Sequence, residues 1–440
     1  MTPHSFLSKE THNATRKFSG LLTKPHLRNL REMQMGMMLE KSSKLSSIGD
    51  AVSEHVTPRK NSERYARTLE KMDAEECCKR HILCAAPQFR NEPVLLLGDG
   101  GDFQKKHARK MKLVCKTVDG SNGHNIGKGY PTFGIVAYGT KTRRQLPLCH
   151  HLYSTVAPGF KSAWKEQEQC YEWCVPFLYG SVHDRIVVED RGCDDEKRFL
   201  GFMEGLRCSF LTRINTGENS RKLCLVRDGE REEAVSVQQL CHLLRKKAGA
   251  QKKWHNKKLQ KNLTSIIAFQ EVRLPSRPDL PLFLVLLYTD GFDAPMVILT
   301  DIDVRSYDDA WKIFFWYKKR WEVENFFRAI KQNFGAEQFL IRSFEAIQSL
   351  AFIQMLTFAL ILHVRERVEA DDDVLFRWFQ EFCRQWQRTK QSHLDLLSWI
   401  RKTWQQMPTN SSYRSWSCHM NTCLAPPPGQ MAIFDWREKW

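Results

Sequence analysis

The chain has 440 residues, with 67 Lys and Arg against 50 Asp and Glu, and so carries a formal charge of +17. That length gives ample core for two or three substructures, and that charge points to a polyanionic partner, leaving nucleic acid and an acidic membrane surface undistinguished. The first thirty residues hold no signal-peptide apolar core and no uninterrupted apolar run reads as long enough to span a bilayer, so a cytoplasmic protein with no membrane partner is expected.

Residues 1–90 read as helical, with a short helix over 45–56, a break at Pro58, and a helix over 61–72 that exposes Arg64, Arg67 and Lys71. Two short helices before a basic one suit a DNA-end-binding module of helix-turn-helix type, or an ordinary helical cap over the core. From Pro93 the pattern changes. Val94 to Leu97 is a short apolar run that predicts a buried strand, and it runs into Gly98-Asp99-Gly100-Gly101-Asp102-Phe103, which places Asp99 at the strand's end. Turn residues fill 119–130, two strands are expected at 131–138 and 145–153, and a helix at 160–178.

The segment from Arg185 repeats the arrangement of a β-branched run ending in an acid, here Asp190, with Glu189 facing the opposite way if the strand continues. A helix over 195–206 and a strand over 209–214 follow, closing a first part at 91–214. Residues 215–305 carry alternating runs at 263–272 and 282–288 and predict an antiparallel β insert. Within it, 245–261 holds eight cations and no acid around Trp254 and His255. Such a strip is either a solvated face or a DNA contact, in which Lys252, Lys253, Lys257 and Lys258 meet phosphates and Trp254 stacks on a base.

In the next part, 306–370, residues 308–335 lack proline, begin with an acid of N-cap type and end at Gly335, which predicts one helix of about seven turns. At ~100° per residue, Tyr317, Arg320, Glu324 and Lys331 share a narrow stripe with Arg328 beside it. One carboxylate among cations suits a site that cuts phosphodiesters, the carboxylate holding metal and the cations holding the backbone; ordinary surface ion pairs would also produce it. An apolar helix is expected over 343–367. The last part, 371–440, reads as helical and Trp-rich, either a dimerisation segment or a packing extension. The 14 cysteines include Cys170 and Cys174 one helical turn apart, and Cys418 and Cys423 flanking His419, but no two convergent ligand pairs, so reduced and mostly buried thiols are expected.

The spacing Tyr-x2-Arg-x3-Glu-x6-Lys at 317, 320, 324 and 331 resembles the YREK signature of bacterial DDE transposases of the insertion-sequence-four type. Asp99, in a D-x-x-D-F-x-K context, and Asp190, within DRG, match the two upstream acids, and the likeness extends over about 93–367. The resemblance implies an α/β, RNase H-like catalytic domain interrupted by the β insert and flanked by helical terminal regions. It further implies that Asp99, Asp190 and Glu324 are catalytic and bind two Mg2+ ions, with Mn2+ a possible substitute, and that Tyr317, Arg320 and Lys331 grip phosphates near the cut. The implied partners are double-stranded DNA, as terminal inverted repeats and target, and a second copy of the chain when synapsed, in the bacterial nucleoid. The implied chemistry is cut-and-paste transposition: hydrolytic nicking, then transfer of the freed 3′-hydroxyl. A metal-dependent nuclease without strand transfer, or a catalytically silent DNA-binding descendant, are the alternatives. Asp102 competes with Asp99 as the first acid.

Overall fold

A computed structural model describes residues 3–52, 56–105, 107–108, 110–119, 125–227, 230–256 and 259–370. Lys257, Lys258 and the whole 371–440 part lie outside the described residues. The amino-terminal region is helical: α1 (Pro3–Arg16), α2 (Lys24–Glu40), α3 (Leu45–Ala51), α4 (Pro58–Lys71) and α5 (Ala74–Ala85). Its starts are set by side-chain caps, Thr23 for α2, Thr57 for α4 and Asp73 for α5, with Pro25 and Pro58 in the first turns, where no amide is needed. One expected cation is not free: Arg64 lies against Glu32, a carboxylate only 1% exposed that also accepts from the Tyr65 hydroxyl at 2.7 Å. Arg67 and Lys71 do remain exposed on α4.

The strands are β1 (Val94–Gln104), β2 (Cys115–Asp119), β3 (Asn125–Gly139), β4 (Gln145–Leu152), β5 (Arg185–Glu189) and β6 (Ser209–Arg213), followed by β7 (Lys222–Arg227), β8 (Glu230–Ser236), β9 (Gly249–Asn256), β10 (Lys261–Leu274), β11 (Arg277–Thr289) and β12 (Met296–Thr300). They form one mixed, mostly antiparallel sheet in the order β2-β3-β1-β5-β6-β12-β11-β10-β7-β8, with β4 also on β3 and β9 also on β10. The parallel pairs are β1 with β5 and β5 with β6. Their central residues, such as Leu95 to Leu97 and Ile186 to Val188, are buried, as strands covered on both faces require. The strands of 222–300 join the same sheet, because β12 pairs with both β6 and β11. A helix the alternating pattern does not announce, α8 (Val237–Arg245), sits among them under a Ser236 capping box.

Two expectations about β1 and β3 change. β1 does not stop at Asp99 but runs on to Gln104, because β3 pairs with it without a break from Val94 to Gln104. The expected turn at 119–130 is strand from Asn125, and β2 pairs there. Cross-strand hydrogen bonds outweigh the low strand propensity of the glycines. Those glycines have a packing reason: a Cβ on Gly98 would stand 1.8 Å from the Tyr171 hydroxyl, and one on Gly101 2.8 Å from the Phe327 ring. Adjacent pleats point to opposite faces, so α6 (Ala163–Cys174), which carries Tyr171, covers one face of β1. The helix carrying Phe327 covers the other.

That helix is one half of an expected single one. The segment divides into α9 (Tyr307–Lys318) and α10 (Trp321–Asn333). Around the junction the amides of Lys319, Arg320 and Val323 bond to carbonyls three residues back, at 3.0, 3.0 and 3.1 Å, so the helix tightens there and its wheel is re-phased. The cap of α9 is Ser306; Asp309 is its reciprocal partner, so the acid signal belonged to the far end of a capping box. Gly335 does end the segment, in the left-handed region at φ 52°.

Between β5 and β6, the expected helix is α7 (Glu196–Leu200) continued by a π turn at Gly201–Gly205. The last described helix, α11 (Phe344–Ala370), is long and apolar enough to cross a membrane, contrary to the reading of no such run, but 89% of its apolar window is buried inside the protein. It packs on α2, α4, α5 and β4 and is the core helix joining the amino-terminal helices to the sheet.

Candidate active site

β1 and β5 are paired in parallel up to Leu97 opposite Val188. Two residues further on, in the same register, stand Asp99 and Asp190, where the β5-facing edge of β1 is no longer occupied. Parallel neighbours lie about 4.8 Å apart, so the sheet itself sets the two carboxylates side by side. Glu189, one residue earlier, faces the other way: it is 1% exposed and accepts from Tyr171 at 3.1 Å and Arg198 at 2.9 Å.

The third acid comes from α10. Glu324 hydrogen-bonds one amino group of Arg320; Arg320 also reaches Asp99 Oδ2 at 3.0 Å and Asp190 Oδ2 at 3.7 Å. Three carboxylates from three elements thus converge on one guanidinium, and Arg320 as a whole is only 8% exposed. The Tyr317 hydroxyl, from the last turn of α9, donates to Asp190 Oδ1 at 3.1 Å. The helix break therefore leaves Tyr317, Arg320 and Glu324 at one place, though not by the straight wheel that suggested it.

Burial pushes the Asp99 carboxyl up to about 6; Arg320 opposes this, and Glu324 and Asp190 add to it. Asp190 responds oppositely. Burial raises it too, but Arg320, the Arg191 amide and the Tyr317 hydroxyl together hold it below the usual range. Two adjacent acids of unequal proton affinity around a buried cation mark a site where cationic charge is in demand.

Lys331 belongs to a neighbouring cluster. Its ammonium is 3.1 Å from Asp102 Oδ1 and 3.4 Å from Glu337 Oε1. Asp102 is fixed in turn by the Gln104 amide at 2.7 Å, which also donates to Thr117 at 3.0 Å. The two candidate first acids are thereby separated: Asp99 faces Arg320, and Asp102 faces Lys331. Arg328 joins neither cluster; it is exposed and donates to Asn325 at 3.0 Å.

Trp254 does not project outward. Its indole donates to Ser265 at 2.9 Å, and the ring packs on Phe314 with the Lys318 ammonium 4.2 Å from its centroid. Packing on the α9 layer explains its position, and the ring stays half-buried there. Lys253 is exposed on β9, and Lys252 pairs with Asp308 at 3.3 Å. Sequence reasoning missed Glu337, which sits in a turn after Gly335 without a motif, and Arg213 on β6, whose charge acts on Asp190 and Tyr317.

All three converging donors are carboxylates, the ligand chemistry of a hard divalent cation such as Mg2+ or Mn2+. As they stand, no three His, Cys, Asp or Glu side chains among the described residues are arranged around a common ion, because the guanidinium lies between the acids. The chemistry of the donor set fits such a cation, in the place that the Arg320 guanidinium holds here.

Residues 169–361 match a protein-family model described as a transposase DDE domain. The match spans Asp190, α9, α10 and Glu324 and begins after Asp99. No curated protein matches the chain. The family match supports a DDE transposase, an enzyme of the nuclease and transposase class that acts on DNA; the sheet of mixed polarity with its covering helices is compatible with such a nuclease fold.

Proposed function

We propose that the protein is a cut-and-paste DNA transposase of the insertion-sequence-four type. It binds the terminal inverted repeats of its element, cleaves phosphodiester bonds and joins the 3′-hydroxyl ends to target DNA. The observation that carries this reading is the meeting of Asp99, Asp190 and Glu324 at one cation, from three elements in the chain order the class requires. The strand order β4-β3-β1-β5-β6 supports an RNase H-like catalytic domain, with 215–305 as its insert.

In this mechanism Asp99, Asp190 and Glu324 would hold two Mg2+ ions, for which Mn2+ could substitute. When bound, the ions lower the cost of charge on the entering and leaving oxygens. The protein's own groups do the rest. Arg320, released from the acids, turns its fork of donors to a phosphate near the cut. Tyr317 orients Asp190 through its hydroxyl, and Lys331, withdrawn from Asp102, supplies a second phosphate contact. Glu189, locked by Arg198, keeps the end of β5 in place. Arg328, Lys252, Lys253, Lys257 and Lys258 extend the contact along the DNA; Trp254 acts as the packing platform of the strip. The 1–90 helices, with Arg67 and Lys71 on α4, bind the element's ends, and a second copy completes the synapse.

The test is incubation of the purified chain with its element's ends and Mg2+, with nicked and joined products separated on a gel. Wild-type protein should yield both, and Glu324→Gln should bind ends while producing neither. Nicks without joined products would assign a nuclease; cleavage by Glu324→Gln at the wild-type rate would overturn the reading.

A further inference from the structure

A second site lies away from the acids, where α1, α5 and α11 meet the start of β4. They enclose a cleft of about 290 Å³. It is lined by apolar residues such as Leu146 and Leu356 and by the cations Arg16, Lys17, Arg80 and Arg144. Lys17, just past α1, is half-buried at the cleft and donates to His81 Nδ1 at 2.6 Å. His81 Nε2 donates to the Pro147 carbonyl at 2.9 Å, which fixes the ring as a neutral acceptor toward Lys17. Burial, with Lys17 beside it, keeps that ring well below the usual histidine range.

The charges around the cleft do not balance. Arg144 is paired with Glu366 at 3.2 Å. Arg16, Lys17 and Arg80 line the same cleft and have no carboxylate at ion-pair distance among the described residues. An ammonium has three donors, and that of Lys17 meets one acceptor here. A partly desolvated cation without an anion is disfavoured, and desolvation lowers the Lys17 amine to about 8. What the cleft lacks is an anion with several acceptor oxygens.

We propose that this cleft binds a phosphate monoester, its oxygens on Lys17, Arg16 and Arg80 and its organic part against Leu146 and Leu356. A dianion answers one half-buried and two exposed cations on a single cleft better than a carboxylate does, and guanidinium forks match phosphate geometry. The volume, near the lower end of small-ligand pockets at about 300 Å³, accepts a mononucleotide-sized group and excludes a duplex. The phosphate belongs either to a free nucleotide or to the terminus of a single strand. The site is independent of the acid cluster and of the transposase reading.

Calorimetric titration of the full chain in chloride buffer without divalent metal tests this, using inorganic phosphate, deoxyadenosine monophosphate, and one short oligonucleotide with a 5′-phosphate or a 5′-hydroxyl. At least one phosphate probe should bind saturably at one per chain. Lys17→Met should weaken it tenfold or more, and so should Arg80→Gln, which keeps Lys17 in place and guards against misfolding of the first variant. Preference for the mononucleotide assigns a free ligand; preference for the 5′-phosphorylated over the 5′-hydroxyl strand assigns a strand end. The proposal is overturned if no probe saturates, if both variants bind as the wild type does, or if the two oligonucleotides bind equally and the small phosphates not at all.

Discussion

Replacing Arg320 with alanine removes the cation that Asp99, Asp190 and Glu324 share. Two of the three contacts are close hydrogen bonds, to Asp99 at 3.0 Å and to Glu324, and the third is an ion pair at 3.7 Å. A charge-assisted bond contributes about 1.5–3 kcal/mol, but these acids are partly hydrated, with Asp99 and Glu324 side chains 28% and 26% exposed. A net loss of about 3 kcal/mol is therefore expected for the metal-free protein, read from urea unfolding. Mg2+ should then restore stability, because it supplies the missing positive charge to the same oxygens. At a hundredfold excess over its Kd it adds about 2.7 kcal/mol. The wild type should gain less, since its guanidinium has to be displaced first. Equal stability of the two metal-free proteins, or an equal Mg2+ increment in both, would refute the argument that the three acids form one cation site.

Lys331→Ala should weaken end binding in gel shifts, and Asp102→Asn, which frees that ammonium, should leave it intact or strengthen it; both should keep Mg2+-induced stabilisation, whereas Asp99→Asn should lose it. The reverse pattern would make Asp102 the metal ligand. Replacing Lys252, Lys253, Lys257 and Lys258 together with alanine should flatten the salt dependence of DNA binding, by about 0.9 in log–log slope for each phosphate the lysines no longer neutralise; an unchanged slope would make the strip a solvated face. His150 is buried among Phe103, Phe326 and Phe327 and bonds the Ala351 carbonyl at 3.3 Å, and burial lowers it from 6.5 to about 4. The folded state then binds fewer protons than the unfolded one, so stability falls as pH drops from 6.5 toward 4, by about 2 kcal/mol at pH 5 relative to pH 7. In His150→Phe that share of the pH dependence, measured by urea unfolding at both pH values, should vanish.

The short apolar runs at 94–97, 185–189 and 209–213 were readable because a central parallel strand needs side chains that tolerate burial on both faces. The acids that follow two of them were readable for the same reason: a charged residue ending such a run marks where cover stops. The glycines of 98–101 misled, since their propensity argues for a turn while pairing with β3 and the close approach of Tyr171 and Phe327 hold them extended. The division at Lys319 and Arg320 had no proline or glycine to announce it; at that point Arg320 is held by acids distant in sequence. Glu337 and the Glu32 partner of Arg64 were invisible for a related reason, because each matters only through a neighbour that the fold supplies. In the strip at 245–261 the charge was legible, but the packing of Trp254 depends on Phe314, sixty residues on.

The shared register of β1 and β5 also bears on which insertions and deletions the gene could survive. One residue added to β1 between Leu97 and Asp99 would turn the carboxylate to the opposite face, toward Tyr171, while Asp190 stayed where it is. Two added residues would restore the facing but carry the acid on by about 6.6 Å, beyond the reach of a common ion pair. Length changes in this chain should therefore be tolerated at hairpin tips such as the one joining β10 to β11, and should take the acid cluster apart in the few codons before either aspartate.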